Sequence, residues 1–240
     1  MSKPKKITFK AQDRHLYGSS PPVPASKAIP GWFKKLTNGI DPQTRNLSLK
    51  GCMPFLDAMK SGYVIPAPCD LVITGWTEGE ENHWKADWSV PNEFDGDLIE
   101  PHSPDQLGDE PMQATGNAIP LKVRNMFTTI TPPGYSCLIT PILNDASLAI
   151  RGVHFYSGVV DTDVYEQQIN LPFAFTDLSG QDVFIAKGTP LVQVFPFKRE
   201  NWVMEVKEHS LEELRNFAQL MYSSFSGVYK RMFHQSKKYM

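Results

Sequence analysis

GVVDTD at 158–163, followed by KGTPLVQV at 187–194, decides how this chain is read. The first stretch places a glycine and two aspartates where a β-hairpin would turn. Glycine reaches backbone conformations closed to other residues, and aspartate side chains bond their own backbone in turns. The second stretch is Lys-Gly leading into a nearly continuous apolar run, the texture of a buried strand. Tyr165 stands just beyond the turn, where its ring can cap a pocket by stacking. A turn and a buried strand form either a working catalytic loop or the scaffold of one.

Outward from this pair, residues 63–206 have the texture of strands. YVIPAPCDLVITGW (63–76), NHWKADWSV (82–90), NMFTTI (125–130) and YSCLITPI (135–142) are β-rich runs punctuated by Pro and Gly. Such spacing predicts an all-β sandwich or barrel rather than alternating β and α. Trp76, Trp84 and Trp88 stand even numbers of residues apart and are expected on one buried face. The acidic stretch 91–118, rich in Pro, Gly, Asp and Asn, reads as an insertion loop.

Before this region, ITFKAQ (7–12) alternates like a short strand, and SSPPVPASKAIPG (19–31) is a proline-rich extended connector. WFKKL (32–36) suits one helical turn, and CMPFLDAMKSG (52–62) a short helix stopped by Gly62. After it, Ser210 and Glu213 form a capping box opening a helix expected over 210–236. Leu214, Phe217, Met221, Phe225, Val228 and Met232 make an apolar stripe at helical spacing, with Gly227 marking a possible bend. The stripe needs a partner surface, on its own β domain or on another chain. The expected organisation is therefore a basic arm with a short helix (1–62), a β domain (63–206) and a C-terminal helix (210–236).

With 41% hydrophobic residues the chain can bury a real core, and its net charge of −2 gives no global attraction to nucleic acid or to an anionic membrane. Charge is nevertheless uneven. The first fifty residues are basic, and residues 76–110 are strongly acidic. Opposite patches suit internal pairing or contact between copies, while a solvated acidic loop is the plainer alternative. Trp32 and Phe33 among lysines are compatible with nucleic acid, and equally with an arm docked on an acidic neighbour. Cys52, Cys69 and Cys137 form neither a disulfide framework nor a zinc pattern, which points to a reducing compartment. No apolar run has the length of a membrane span, so a soluble intracellular protein is expected. The histidines show no metal-ligand spacing. His102 and Gln106 sit where the insertion can approach a site.

The segment from Pro132 carries a resemblance. PPGYSCLITP (132–141), GVVDTD and KGTPLVQV are similar, in order and spacing, to three motifs of the homotrimeric dUTPases and related β-clip proteins: PxGxxGxxxPRS, GVIDxDYRG and KGDRIAQL. The resemblance implies a dUTPase-like β-clip fold and a homotrimer. It makes Asp161 the residue that orients the attacking water in an enzyme, and Gln193 the glutamine that contacts phosphate or protein backbone. Gly158, Asp163 and Tyr165 join Gln193 as ligand-binding candidates, with Tyr165 one residue beyond the family's tyrosine.

The departures fall on phosphate chemistry. Ile142 and Leu143 stand where the enzymes have Arg-Ser, Cys137 replaces a glycine, Pro190 replaces the arginine of RIAQ, and a long helix replaces the Gly-rich arm. Aliphatic side chains cannot make the charge-assisted bonds that hold phosphate oxygens. The flanking segments also resemble a family of proteins of tailed phages and some bacteria, which supplies no activity.

Two functions follow. The first is a non-catalytic trimeric assembly or binding module without cofactor, possible in a phage particle or the host cytoplasm, meeting phage or host proteins through its arm and C-terminal helix. The second is a nucleotide-binding pyrophosphohydrolase-like enzyme with an altered phosphate site, using Asp161 and magnesium. Neither involves a membrane, and nucleic acid is not an expected partner.

Overall fold

The computed structural model describes residues 4–11, 20–37, 39, 48–89, 97–103, 118–222 and 228–240. In chain order its first strands are β1 (Thr8–Ala11), β2 (Val23–Pro24), β3 (Tyr63–Pro66), β4 (Leu71–Glu78) and β5 (Glu81–Trp88). Next come β6 (Ile99–Pro101), β7 (Ile119–Val123), β8 (Phe127–Ile130), β9 (Tyr135–Pro141) and β10 (Val153–Phe155). The last are β11 (Gly158–Val160), β12 (Leu171–Phe175), β13 (Ser179–Ile185) and β14 (Pro190–Lys198). Among the described residues the α-helices are α1 (Gly31–Lys35), α2 (Met53–Lys60) and α3 (Leu211–Tyr222). The fold is mainly β, as the strand texture predicts.

Among the described residues the strands form sheets ordered β11-β9-β14-β3-β2, β10-β12-β7-β6, β13-β4-β5 and β1-β8, none of them closed into a barrel. Packing explains the pattern. In β7 the alternate residues Ile119, Leu121 and Val123 are buried, and they lie opposite Phe175, Phe173 and Leu171 of β12. Paired apolar side chains on one face hold that register, because a slip by one residue would expose all of them. Strand β14 lies between β9 and β3, and Leu191 to Val194 are all buried. That central position is why KGTPLVQV reads as a continuous apolar run.

The structure changes several local expectations. GVVDTD does not turn a hairpin: β11 pairs with β9, and the next strand, β12, lies in the sheet with β7 and β10. The turn carries the chain from one sheet to another. The stretch 91–118 is not all loop, since Leu98 and Ile99 are buried and β6 extends that second sheet; residues 90–96 and 104–117, Gln106 included, lie outside the described residues. Glu100 of β6 pairs with Lys122 at 3.0 Å and Arg124 at 3.5 Å, so part of the acidic charge is matched internally.

Trp84 and Trp88 pack against the core, whereas Trp76 stacks on His83 at 5.6 Å. The hairpin between β4 and β5 pairs Trp76 with His83 and Gly75 with Trp84. Trp76 is thus one residue out of phase with Trp84, and neighbouring positions on a strand face opposite ways. Even spacing in sequence does not carry over a hairpin.

Beyond Lys198 the chain leaves the sheets, and residues 199–210 run exposed to α3. The capping box forms: Glu213 N–H donates to Ser210 Oγ at 3.2 Å, and Ser210 N–H to Glu213 Oε2 at 2.8 Å. Leu214 and Phe217 of the apolar stripe are exposed, while Val228 is buried; Phe225 and Gly227 lie outside the described residues. A π-helical turn, Tyr229–Phe233, follows, and after it the chain is extended rather than helical to 236. Asp57 of α2 fixes this last segment by bonds to His234 at 3.0 Å and Lys237 at 2.6 Å. Burial alone would raise the Asp57 pKa, but the bonds and charges of Lys237 and His234 outweigh it and hold the carboxyl below its ordinary value. Among the described residues no helix is long and apolar enough to cross a membrane.

Candidate functional site

Strand β9 organises the site, because β11 pairs along one edge of it and β14 along the other. Val160 lies opposite Cys137, so the turn that follows brings Asp161 and Asp163 to the start of β9. The turn is closed by Val164 and Tyr165 N–H groups donating to Asp161 O at 3.1 and 2.9 Å. Thr162, fully buried, points the other way: its hydroxyl meets Thr131 Oγ1 at 2.7 Å and Cys137 Sγ at 3.3 Å. Burial, opposed by the Thr162 bond, pushes the Cys137 thiol up. Cys137 is therefore accommodated as core.

The two aspartates differ. Asp163 is 4% exposed and clamped by both Arg199 nitrogens, with Gly134 N–H donating to Oδ2 at 2.7 Å. Asp161 is 58% exposed; its Oδ1 accepts from Ser136 Oγ at 2.6 Å and from Arg199 Nη1 at 3.3 Å. Arg199 is the residue at this turn that sequence reasoning missed. Lys198 pairs with Tyr135 and Arg199 N–H donates to Gly134 O at 2.9 Å, so the guanidinium lies against the turn. The charged KRE that ends the last strand was the available signal.

Hydrogen bonds from Arg199 hold the Asp163 carboxyl down to about 2, aided by Gly134 N–H and the guanidinium charge and opposed by burial. A lowered carboxylate pKa stabilises the fold above the unfolded value of about 3.9, and that stability is lost as pH falls through the folded value. Between pH 4 and about 2 the protein should therefore lose urea resistance more steeply than its Asp163→Asn variant, followed by circular dichroism. Parallel acid profiles for the two proteins would rule the clamp out as a source of stability.

Gln193 does not join Asp161. It lies opposite Thr140, whereas Asp161 bonds Ser136, about 13 Å away along β9 at about 3.3 Å per residue. The Gln193 side chain is fully buried and bonds backbone: its Nε2 donates to Ala58 O at 2.9 Å and Ser61 O at 2.6 Å, and its Oε1 accepts from Leu143 N–H at 3.1 Å. Tyr165 is exposed near the turn, and Gly158 has open space where a side chain would be. His102 is tied by its N–H to Pro120 O at 2.9 Å.

At the far end of β9 lies a cavity of about 750 Å³, bounded by Pro141, Ile142, Pro190 and Leu191 and covered by the arm from Lys27 to Trp32. Ile142 and Pro190, two of the positions at which the chain departs from the motifs, both line it. Lys27 is the one Lys or Arg among the described residues lining it. Among the described residues no His, Cys, Asp and Glu cluster could hold a metal ion.

Comparison with solved structures finds dUTPases of staphylococcal phages. The dUTPase of Staphylococcus bacteriophage 80alpha has 10% identity and a TM-score of 0.37, covering 85% of this chain and 96% of that one. The same enzyme with dUPNHPP also has 10% identity and a TM-score of 0.37, over 85% and 88%. A point mutant of the dUTPase from phage phi11 of S. aureus has 13% identity and a TM-score of 0.32, over 62% and 82%. No protein-family model and no curated protein matches the sequence.

Proposed function

We propose that the chain is a non-catalytic dUTPase-like module that assembles as a homotrimer and serves a structural or binding role, in a phage particle or in host cytoplasm. The cavity at Pro141 and Pro190 carries this reading. Its walls at Ile142, Leu191 and Phe155 are apolar, Asp145, Ser147, His154 and Thr189 also line it, and Lys27 is its single Lys or Arg among the described residues. Hydrolysis of a triphosphate needs several fixed positive or donor groups around the reacting phosphates. Asp163 is committed to Arg199, and Gln193 to backbone.

Assembly is supported by uncovered apolar surface. Trp202, Val203, Met204 and Val206 lie in one extended stretch at 85–96% exposure, and Leu214 and Phe217 of α3 are exposed as well. Several large apolar side chains exposed within one short segment suit contact with another chain. The arm, residues 1–62, and the C-terminal segment, 210–236, which begins with α3, are the elements through which copies or other phage or host proteins meet the β domain of 63–206.

One observation favours the enzymatic alternative: Asp161 keeps an exposed carboxylate with Arg199 3.3 Å away. Sedimentation equilibrium is expected to give three times the 27.1 kDa chain mass. The same preparation is expected to release no pyrophosphate from a panel of nucleoside triphosphates with magnesium. Turnover that disappears in Asp161→Ala would replace the non-catalytic reading by the enzymatic one, and a monomer would remove the assembly.

A further inference from the structure

We propose that residues 4–7 and 238–239, brought together on the domain surface, close a pocket for one phosphorylated nucleoside unit, free or at the end of a single strand. A cavity of about 250 Å³ lies between these segments and the surface formed by Tyr63, Thr131, Tyr135 and Pro196. The space suits a single nucleoside, being smaller than the roughly 300–1,000 Å³ of clefts that take drug-sized ligands.

The charged side chains that line it are all of one sign, and the Tyr63 hydroxyl donates to Met240 O at 3.4 Å. Lys5, Lys6 and Lys238 line it with Tyr63, Tyr135 and Tyr239, and no Asp or Glu appears among the described lining residues. Neighbouring cations are already matched: Lys237 by Asp57, Lys198 by Glu200 and Arg199 by Asp163. Lys6 and Lys238 are exposed and have no carboxylate within ion-pair distance among the described residues. Ammonium groups without a counter-charge attract phosphate, and tyrosine rings give a base a stacking surface that tolerates any sequence.

The aromatic wall is held in place before a ligand arrives. Phe9 contacts Tyr63 edge-on at 5.5 Å, and Tyr63 contacts Tyr239 at 5.9 Å and 88°. Lys5 Nζ stands 6.0 Å from the Tyr135 ring centre, at the outer limit of a cation–π contact. The Asp57 bonds to His234 and Lys237 anchor the segment that delivers Lys238 and Tyr239. Side chains already ordered lose less freedom on binding. The chain's net charge of −2 hides this site, because the charge that matters is local and assembled from residues more than two hundred positions apart.

Calorimetric titration of the full chain tests the proposal, with thymidine monophosphate, inorganic phosphate and a phosphorylated oligothymidylate as probes. Thymidine monophosphate is expected to bind once per chain and about tenfold tighter than phosphate, the margin that base stacking supplies. Lys6→Ala with Lys238→Ala is expected to weaken binding about tenfold or more, and Tyr239→Leu to reduce the preference over phosphate. Lys85→Ala, on the β4–β5 hairpin, should bind as wild type. A tighter oligothymidylate assigns the pocket to a strand end, and equal affinity assigns it to the free nucleotide. No saturable binding, no preference over phosphate, or an affinity unchanged in the lysine variant with normal thermal melting would each overturn the proposal. It stands apart from the question of catalysis, which the pyrophosphate assay reads separately.

Discussion

Gln193→Ala is expected to lower the free energy of unfolding by about 3 kcal/mol or more, read as a shift of the urea midpoint by circular dichroism. Three backbone groups depend on this side chain: Ala58 O and Ser61 O at the end of α2, and Leu143 N–H after β9. A buried donor or acceptor that loses its partner costs about 1–3 kcal/mol. Water can reach part of this site once the side chain is shortened, which keeps the expected total near the lower end of the sum. Gln193→Leu separates hydrogen bonding from volume, because leucine refills the space and restores no bond. It should therefore remain destabilised by about 2 kcal/mol or more. A Gln193→Leu protein as stable as wild type would show that the three bonds hold nothing. The same bonds bind α2 to the exit of β9 beside the large cavity, so Gln193 is a structural tie at a position where the family resemblance allowed a phosphate contact.

What could be read from sequence was what short-range physics writes there. The capping box at Ser210 and Glu213 is complete within one helical turn, and both of its bonds form. KGTPLVQV is apolar on both faces because β14 is a central strand, and the end of α2 falls at the glycine that marks it. Other features depend on how distant segments align. Arg199 reaches Asp163 because β14 and β11 flank the same strand, and no periodicity in either segment encodes that register. Asp57 and Lys237 are 180 positions apart and are joined by the docking of an extended segment, where helical spacing suggested a longer helix. Leu98 and Ile99 were hidden inside an acidic stretch whose composition reads as loop, although two buried residues suffice to add a strand to a sheet edge. Asp161 shows the limit most clearly. Its type and place in a motif suggest a base, but its Oδ1 accepts from Ser136 and Arg199, and only the three-dimensional neighbours reveal this.

Gly62→Ala should destabilise the fold by about 3 kcal/mol or more, and the structure gives two separate reasons. Gly62 joins α2 to β3 with φ of +73°, a left-handed conformation that costs an alanine about 1–2 kcal/mol. A Cβ there would also lie 2.2 Å from Val194 O and 3.3 Å from Phe195 Cδ1. That carbonyl belongs to β14, which pairs with β3 immediately beside the glycine, so it cannot retreat without disturbing the central sheet. Gly62 O also accepts from Ala25 N–H at 3.0 Å, so a shift of the glycine itself would loosen the arm as well. Overpacking of a rigid site costs about 1–3 kcal/mol, which adds to the conformational cost. Gly158→Ala is the matched control, because its φ is not positive and open space surrounds the site of its Cβ. Thermal and urea melts of the two variants should therefore diverge, with Gly158→Ala close to wild type and Gly62→Ala strongly shifted. Equal melting of both would mean that the α2–β3 corner yields easily and does not fix α2 against the central sheet.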